Sequence, residues 1–376
     1  MKLGVDLSIM DELLPLGPKY FYHGEEVEPF SFFASKGISM VRLRLWHDPY
    51  DENGNPYGGG TCDLPCIIRL AKKANACGMA VMLDFHYSDF WVDPSRQRPP
   101  KAWKGMSFAE VIVALHDYTR DTLLALKKEN IDIAAIQVGN EITNGMMHPY
   151  GELYREGISE ESGGGYDGLS KLLKAGFDAC YEVYPEAKTV LHLEHSGSMD
   201  KQIPYLENVI ARGVEFDVVG QSYYPFWHGP FRDFKENNLY IMEHFHKEVW
   251  VVEAGYEWIP SRIPGHHGDF AEAEDGSKVG DINGRIPFPS TKQGQADYLR
   301  YFLKLCKDIG VGMVYYWEPA WVPMPGNAWA KDAGQVYCGL EPGPAYNDWE
   351  NEVLFDFDGN ANPAVDVFSQ EAVDAL

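Results

Sequence analysis

The chain has 376 residues, and its 56 acidic side chains against 32 basic ones leave a formal charge of −24. A field of that sign repels phosphate backbones and anionic membrane surfaces, which argues against nucleic acid and lipid as partners. No run of about 18 uninterrupted apolar residues offers a membrane span.

In chain order, β-rich runs occur at Leu3–Leu7, Met40–Trp46, Ala80–Ser88, Ala135–Glu141, Thr189–His195, Phe216–Tyr224, Val249–Tyr256 and Gly312–Ala320. Segments of helical period separate them. One runs from about Leu64 to Ala76 and stops at Gly78, and another follows the capping box of Ser107 and Glu110 and covers Val111–Lys128. Gly-rich Glu160–Gly168 and the Gly/Asp/Pro-rich Ile259–Pro289 read as loop insertions after the fourth and seventh runs. Strands alternating with helices make a parallel sheet, and eight such units predict an α/β (β/α)8 TIM barrel with long βα loops. The length suits one such domain over residues 1–376. A doubly wound sheet would instead want a glycine-rich phosphate turn where this chain has Gly4-Val5-Asp6-Leu7-Ser8. The six cysteines, at 62, 66, 77, 180, 306 and 338, read as mostly free thiols.

Alternation within the strands locates a site. Leu43 and Leu45 oppose Arg42, Arg44 and Trp46; Leu83, Phe85 and Tyr87 oppose Asp84, His86 and Ser88; Leu191 and Leu193 oppose His192 and Glu194. The apolar side must face the helices, so the ionisable side faces the barrel interior. Such groups are costly to bury unless paired, and stacked toward strand ends they mark a site at the mouth. There the fourth run ends in Asn140-Glu141 and the seventh in Glu253. Two carboxyls facing each other supply the acid and the carboxylate that glycosidic cleavage requires. Asn140 is placed to bond a sugar 2-hydroxyl, Arg44 to keep Glu253 ionised, and Tyr223 or Tyr224 to hold it. The aromatic share of 14% suits sugar faces, with Trp91 and Trp317 the best platforms and Trp46, Trp227 and Trp321 weaker ones.

These motifs resemble glycoside hydrolase family 53, the arabinogalactan endo-β-1,4-galactanases of clan A. The resemblance runs from Gly4-Val5-Asp6 to Phe355-Asp356-Phe357-Asp358-Gly359-Asn360. It is carried by Val41-Arg42-Leu43-Arg44-Leu45-Trp46, the run Leu83 to Pro94, Val138-Gly139-Asn140-Glu141-Ile142, Ser222-Tyr223-Tyr224-Pro225-Phe226, Val251-Val252-Glu253 and the run Tyr315 to Trp321. It implies a retaining enzyme with Glu141 as acid/base and Glu253 as nucleophile. It further implies substrate contacts by Arg44, Asp84, His86, Asp89, Trp91, Asn140 and Trp317, and β-1,4-galactan or galacto-oligosaccharide as substrate. No cofactor is required for the chemistry. Some bacterial members carry calcium in the long loop after strand seven, where this chain offers Asp269, Glu272, Glu274, Asp275, Asp281 and Asn283.

A metal-dependent amidohydrolase would need His-x-His where this chain has Asp6-Leu7-Ser8. A carbohydrate-binding relative without activity would have no need of both carboxylates. A clan-A relative acting on mannan or cellulose shares the mechanism, and only the runs Asp89 to Pro94 and Trp317 to Trp321 favour galactan over it. A monomer is expected. With Met1 as the start and free thiols the lean is cytoplasmic; a removed leader would make the protein extracellular.

Overall fold

The computed structural model describes residues 1–154, 163–260 and 288–376. Eight parallel strands close into a barrel in chain order. They are β1 Lys2–Asp6, β2 Met40–Leu45, β3 Ala80–Phe85, β4 Ile133–Val138, β5 Lys188–Leu193, β6 Val218–Tyr223, β7 Glu248–Ala254 and β8 Met313–Tyr316. Each expected run contains most of one strand. The strands end earlier than the runs, because His86, Ser88, Asn140 and Glu141 belong to the first turns of the loops that leave the sheet.

Helices pack outside the barrel. Leu64–Ala76 begins at Asp63, whose carboxylate accepts from Cys66 N–H. Phe108–Lys128 carries the expected capping box. The helix Gly165–Val183 takes over the end of the segment expected to be loop. Two glycines in one turn weaken the helical signal in the sequence, yet Gly168 must lack a side chain, since a Cβ there would fall 1.5 Å from the Gly163 carbonyl oxygen. All six cysteines are free thiols.

The barrel interior is layered. Met82, Ala135, Val190, Val218, Trp250, Val252, Met313 and Tyr315 form an apolar floor. The Tyr315 ring lies across the barrel and leaves no room at Gly4, where a Cβ would stand 2.3 Å from it. Above the floor lie Asp6, Arg42, Arg44, Asp84, Gln137 and His192, none more than 1% exposed. A bulge shapes the rim: Gln221 of β6 pairs with Val251 of β7, but Ser222 pairs with Glu253, so Val252 is the extra residue. Strict alternation after the inward Trp250 and Val252 would send Glu253 outward. The bulge turns it into the mouth, as bulges beside active sites do.

Candidate active site

One cleft of about 850 Å³ opens at the C-terminal ends of the strands. Glu141 and Glu253 both line it, with Arg44, His86, Asn140, Glu194, Tyr224 and His228 among the polar groups and Trp91, Trp227, Trp317, Trp321, Trp329 and Trp349 among the rings. Glu141 sits just past β4 with φ of 50°, a left-handed backbone that costs a side-chain-bearing residue about 1–2 kcal/mol.

The two carboxyls keep different company. Glu253 Oε1 is 2.8 Å from Arg42 Nη2, and the Tyr224 hydroxyl donates to its Oε2 at 3.3 Å. Burial pushes the Glu253 carboxyl up to about 7, with the Arg42 guanidinium opposing the rise. Among the described residues Glu141 has no such cation. Burial, then the charges of Glu253 and Glu194, push it well above the usual carboxylate range, and the Ser222 hydroxyl, donating at 2.7 Å, offsets only part of that. The Arg42 guanidinium thus favours the ionised form of Glu253, while burial and two neighbouring carboxyls favour the protonated form of Glu141. Two carboxyls separated in this way are what an acid and a nucleophile on one sugar need.

Arg42 is the hub of the interior. Its Nη1 donates to Asp6 at 3.0 Å, Nη2 to Asp84 at 2.7 Å and to Asn140 Oδ1 at 2.8 Å, and Nε to Gln137 at 3.2 Å. Burial works against its charge, but Asp84, Glu253 and Asp6 outweigh burial and hold it above its ordinary range. This corrects the expectation for Arg44, which pairs with Glu318 and Asp6 rather than Glu253. Arg44 lines the cleft beneath Trp91, its guanidinium 4.3 Å from the ring centroid.

Other expected contacts divide. His86, Trp91, Asn140 and Trp317 do line the cleft. Asp84 lies one layer down, where it joins Arg42, Gln137 and His86, so its part is to orient them. The Trp46 indole donates to His86 Nδ1, which leaves Nε2 to carry the hydrogen toward Asp84. Asp89 does not reach the cleft; it accepts from the backbone N–H groups of Asp48 and Lys101 and ties two loops together. Tyr223 points away from the mouth, packing on Phe234 and Phe302 and donating to the Gly229 carbonyl, so Tyr224 alone serves Glu253. Trp46 is fully buried and outside the cleft lining, while Trp227 is 58% exposed at its edge.

Arg42, Glu194, His228, Trp329 and Trp349 were not among the expected site residues. Glu194 does fall on the polar side of the fifth run and Arg42 on that of the second, so alternation marked both. Trp349, by contrast, arrives from the C-terminal segment and donates to the Trp317 carbonyl, a contact with no local sequence signature. The positions Asp269, Asp275, Asp281 and Asn283 lie outside the described residues. Among the described residues no group of three or more His, Cys, Asp and Glu is arranged to hold a metal ion, and no helix is long and apolar enough to cross a membrane.

Comparison with known proteins places the chain among its relatives. The model of glycosyl hydrolase family 53 matches residues 2–368. An endo-beta-1,4-galactanase of Bacillus subtilis is 32% identical over 97% of this chain and 84% of its own length. An arabinogalactan endo-beta-1,4-galactanase of Cellvibrio japonicus is also 32% identical, over 96% and 89%. Among solved structures, the glycoside hydrolase family 53 catalytic domain of Ignisphaera aggregans superposes with a TM-score of 0.83 at 35% identity, covering 98% of this chain and 95% of that one.

Proposed function

The chain belongs to glycosyl hydrolase family 53, and on that footing we propose that Glu141 is its general acid/base and Glu253 its nucleophile in a retaining cleavage. The enzyme is a glycoside hydrolase, an endo-β-1,4-galactanase acting on (arabino)galactan. In the first half-reaction Glu141 protonates the departing glycosidic oxygen while Glu253 attacks the anomeric carbon from the opposite face. In the second, Glu141 takes a proton from the water that releases the sugar. The observation that carries this assignment is the guanidinium of Arg42 against Glu253, with no cation against Glu141 among the described residues.

Arg44, His86, Asn140 and Tyr224 bind the sugar being cleaved, and Trp91 and Trp317 stack on its neighbours. The protein acts as one catalytic unit over residues 1–376 and as a monomer. Following the first anomer released from a galacto-oligosaccharide by NMR tests retention: β-product appears first, and initial α-product contradicts the mechanism. Sugar released side by side from galactan, mannan and carboxymethylcellulose tests the substrate, with galactan the fastest.

A structural calcium bound by Asp269, Asp275, Asp281 and Asn283 fits the hard oxygen ligands there. Metal analysis of chelator-washed protein gives about one equivalent if the ion is structural; less than about a tenth of an equivalent contradicts it.

A further inference from the structure

The acid/base has a supporting chain behind it. Ser222 Oγ donates to Glu141 Oε1 at 2.7 Å, and His192 Nε2 lies 2.8 Å from the same Oγ. A serine hydroxyl owns one hydrogen. With that hydrogen directed at Glu141, the Ser222 oxygen can only accept from the ring, so Nε2 of His192 carries a hydrogen. Burial, reinforced by the charge of Arg42, holds His192 well below its ordinary range, and the ring is neutral. Its Nδ1 is then bare. Gln137 Nε2 gives one of its two hydrogens to Asp84 at 2.6 Å and has the second within reach of Nδ1 at 3.0 Å, with the Gly139 carbonyl at 3.0 Å and Asn140 Oδ1 at 3.2 Å as competing acceptors; the Glu141 backbone N–H lies 3.4 Å from Nδ1.

One contact opposes this arrangement. Asn140 Oδ1 lies 2.9 Å from Nδ1 and would accept a hydrogen placed there. That tautomer reverses the chain: Ser222 would donate to Nε2, and Oε1 of Glu141 would have to carry the carboxyl hydrogen. Oε1 is the oxygen turned toward β6. A proton held there faces serine and not sugar. Oε2 makes no hydrogen bond among the described residues, and Glu141 lines the cleft.

We propose that Ser222 and His192 are positioning residues that keep the transferable proton of Glu141 on Oε2, with the Nε2–H tautomer of His192 setting the direction of the chain and Gln137 supporting that tautomer. The inference rests on Glu141 being the acid/base. No bond is made or broken within the pair. The proton leaves Oε2 for the departing glycosidic oxygen and returns to Oε2 from the attacking water, and Ser222 donates to Oε1 throughout. The ionisable groups facing Glu141 are Glu253 from β7, Glu194 from the end of β5, Asp93 from the loop after β3 and Tyr224 just past β6, whose hydroxyl hydrogen is directed at Glu253. Those facing His192 are Arg42, His86 and His228. Arg42, the nearest cation, spends its hydrogens on Asp6, Asp84, Asn140, Gln137 and Glu253.

Two measurements test the proposal. On the wild-type enzyme labelled with ¹⁵N-histidine, NMR should show His192 as the neutral Nε2–H tautomer from about pH 5 to 9; the Nδ1–H tautomer would overturn it. In kinetics, Ser222→Ala should lose about 30-fold or more in kcat/KM on galactotetraose, whose leaving group needs a proton, and less than about threefold in kcat/KM on a dinitrophenyl galactobioside, whose leaving group does not. Its alkaline limb should move up, because the carboxylate has lost a donor. Ser222→Cys, similar in size and a weaker donor, should fall between wild type and alanine. Equal losses on both substrates with an unmoved alkaline limb would mean a merely structural serine. Glu141→Gln separates this from the reading beneath it. If that variant loses kcat/KM on the natural substrate and keeps it on the activated one while Ser222→Ala does neither, the positioning role alone fails. If Glu141→Gln keeps both, the acid role itself fails.

Discussion

Arg42 Nη2 stands 2.8 Å from Glu253 Oε1 while the same guanidinium grips Asp6, Asp84 and Asn140. One cation thus faces the carboxyl proposed as nucleophile and fixes the Asn140 amide beside Glu141, the proposed acid. Its value depends on the planar fork, which a lysine lacks. Arg42→Lys is expected to lower kcat/KM by about 100-fold and to lower Tm, because Asp6 and Asp84 are left buried without matched donors. Activity within about threefold of wild type would contradict the hub role.

The pH profile follows from the two carboxyls. Glu253, pushed up to about 7 by burial against Arg42, must lose its proton to attack, so kcat/KM should rise as pH increases through about 7. Glu141, pushed up by burial and by Glu253 with no opposing cation among the described residues, should give the alkaline limb. Tyr224→Phe removes a donor to the Glu253 carboxylate and should shift the acidic limb upward. A downward shift would contradict the bond.

Stability should vary with pH for the same reason. Burial raises Glu194 and Glu253 to about 7 and Glu318 to about 8 in the fold, all above the ordinary 4.5. Each binds its proton more tightly folded than unfolded, so its stabilising contribution is complete below about pH 4.5 and is lost as pH rises through about 7–8. Thermal melts should therefore show Tm falling between about pH 4.5 and 8, and Glu194→Gln should flatten that fall. A Tm that climbs over this range would contradict the assignment.

Two tryptophans should respond differently to truncation. Trp227 is 58% exposed at the cleft edge, so Trp227→Ala should raise KM on galactan severalfold and leave Tm within about a degree. Trp91 donates to the Trp329 carbonyl and packs against Arg44, Trp46 and Trp317, so Trp91→Ala should lower both kcat/KM and Tm. An unchanged Tm for Trp91→Ala would show that the ring serves substrate alone.

The sequence made the barrel legible because strand alternation and helix caps are local signals. The capping box at Ser107 and the stop at Gly78 stand where the pattern put them. The two carboxyls proposed as the catalytic pair were picked out by strand endings, and both line the cleft; their motifs carried the family resemblance. The partner of Glu253 was not. Arg42 and Arg44 share one face of β2, and both are inward and buried, so alternation cannot say which reaches across to β7. Tyr223 and Tyr224 posed a similar choice, decided where β6 ends and the chain turns. The bulge at Val252 escaped the alternation pattern altogether. Trp349 stayed hidden because its place depends on a contact between segments far apart in the chain.

Azide rescue of the two glutamate variants is the most direct test of the division of roles. Glu253→Ala should form no glycosyl-enzyme, and azide should restore turnover with an α-linked galactosyl azide, because the anion attacks from the face the carboxylate vacated. Glu141→Ala should still form the intermediate from a dinitrophenyl galactobioside, and azide should then give the β-linked product. The same anomer from both variants, or equal loss by Glu141→Ala on activated and natural substrates, would contradict the assignment.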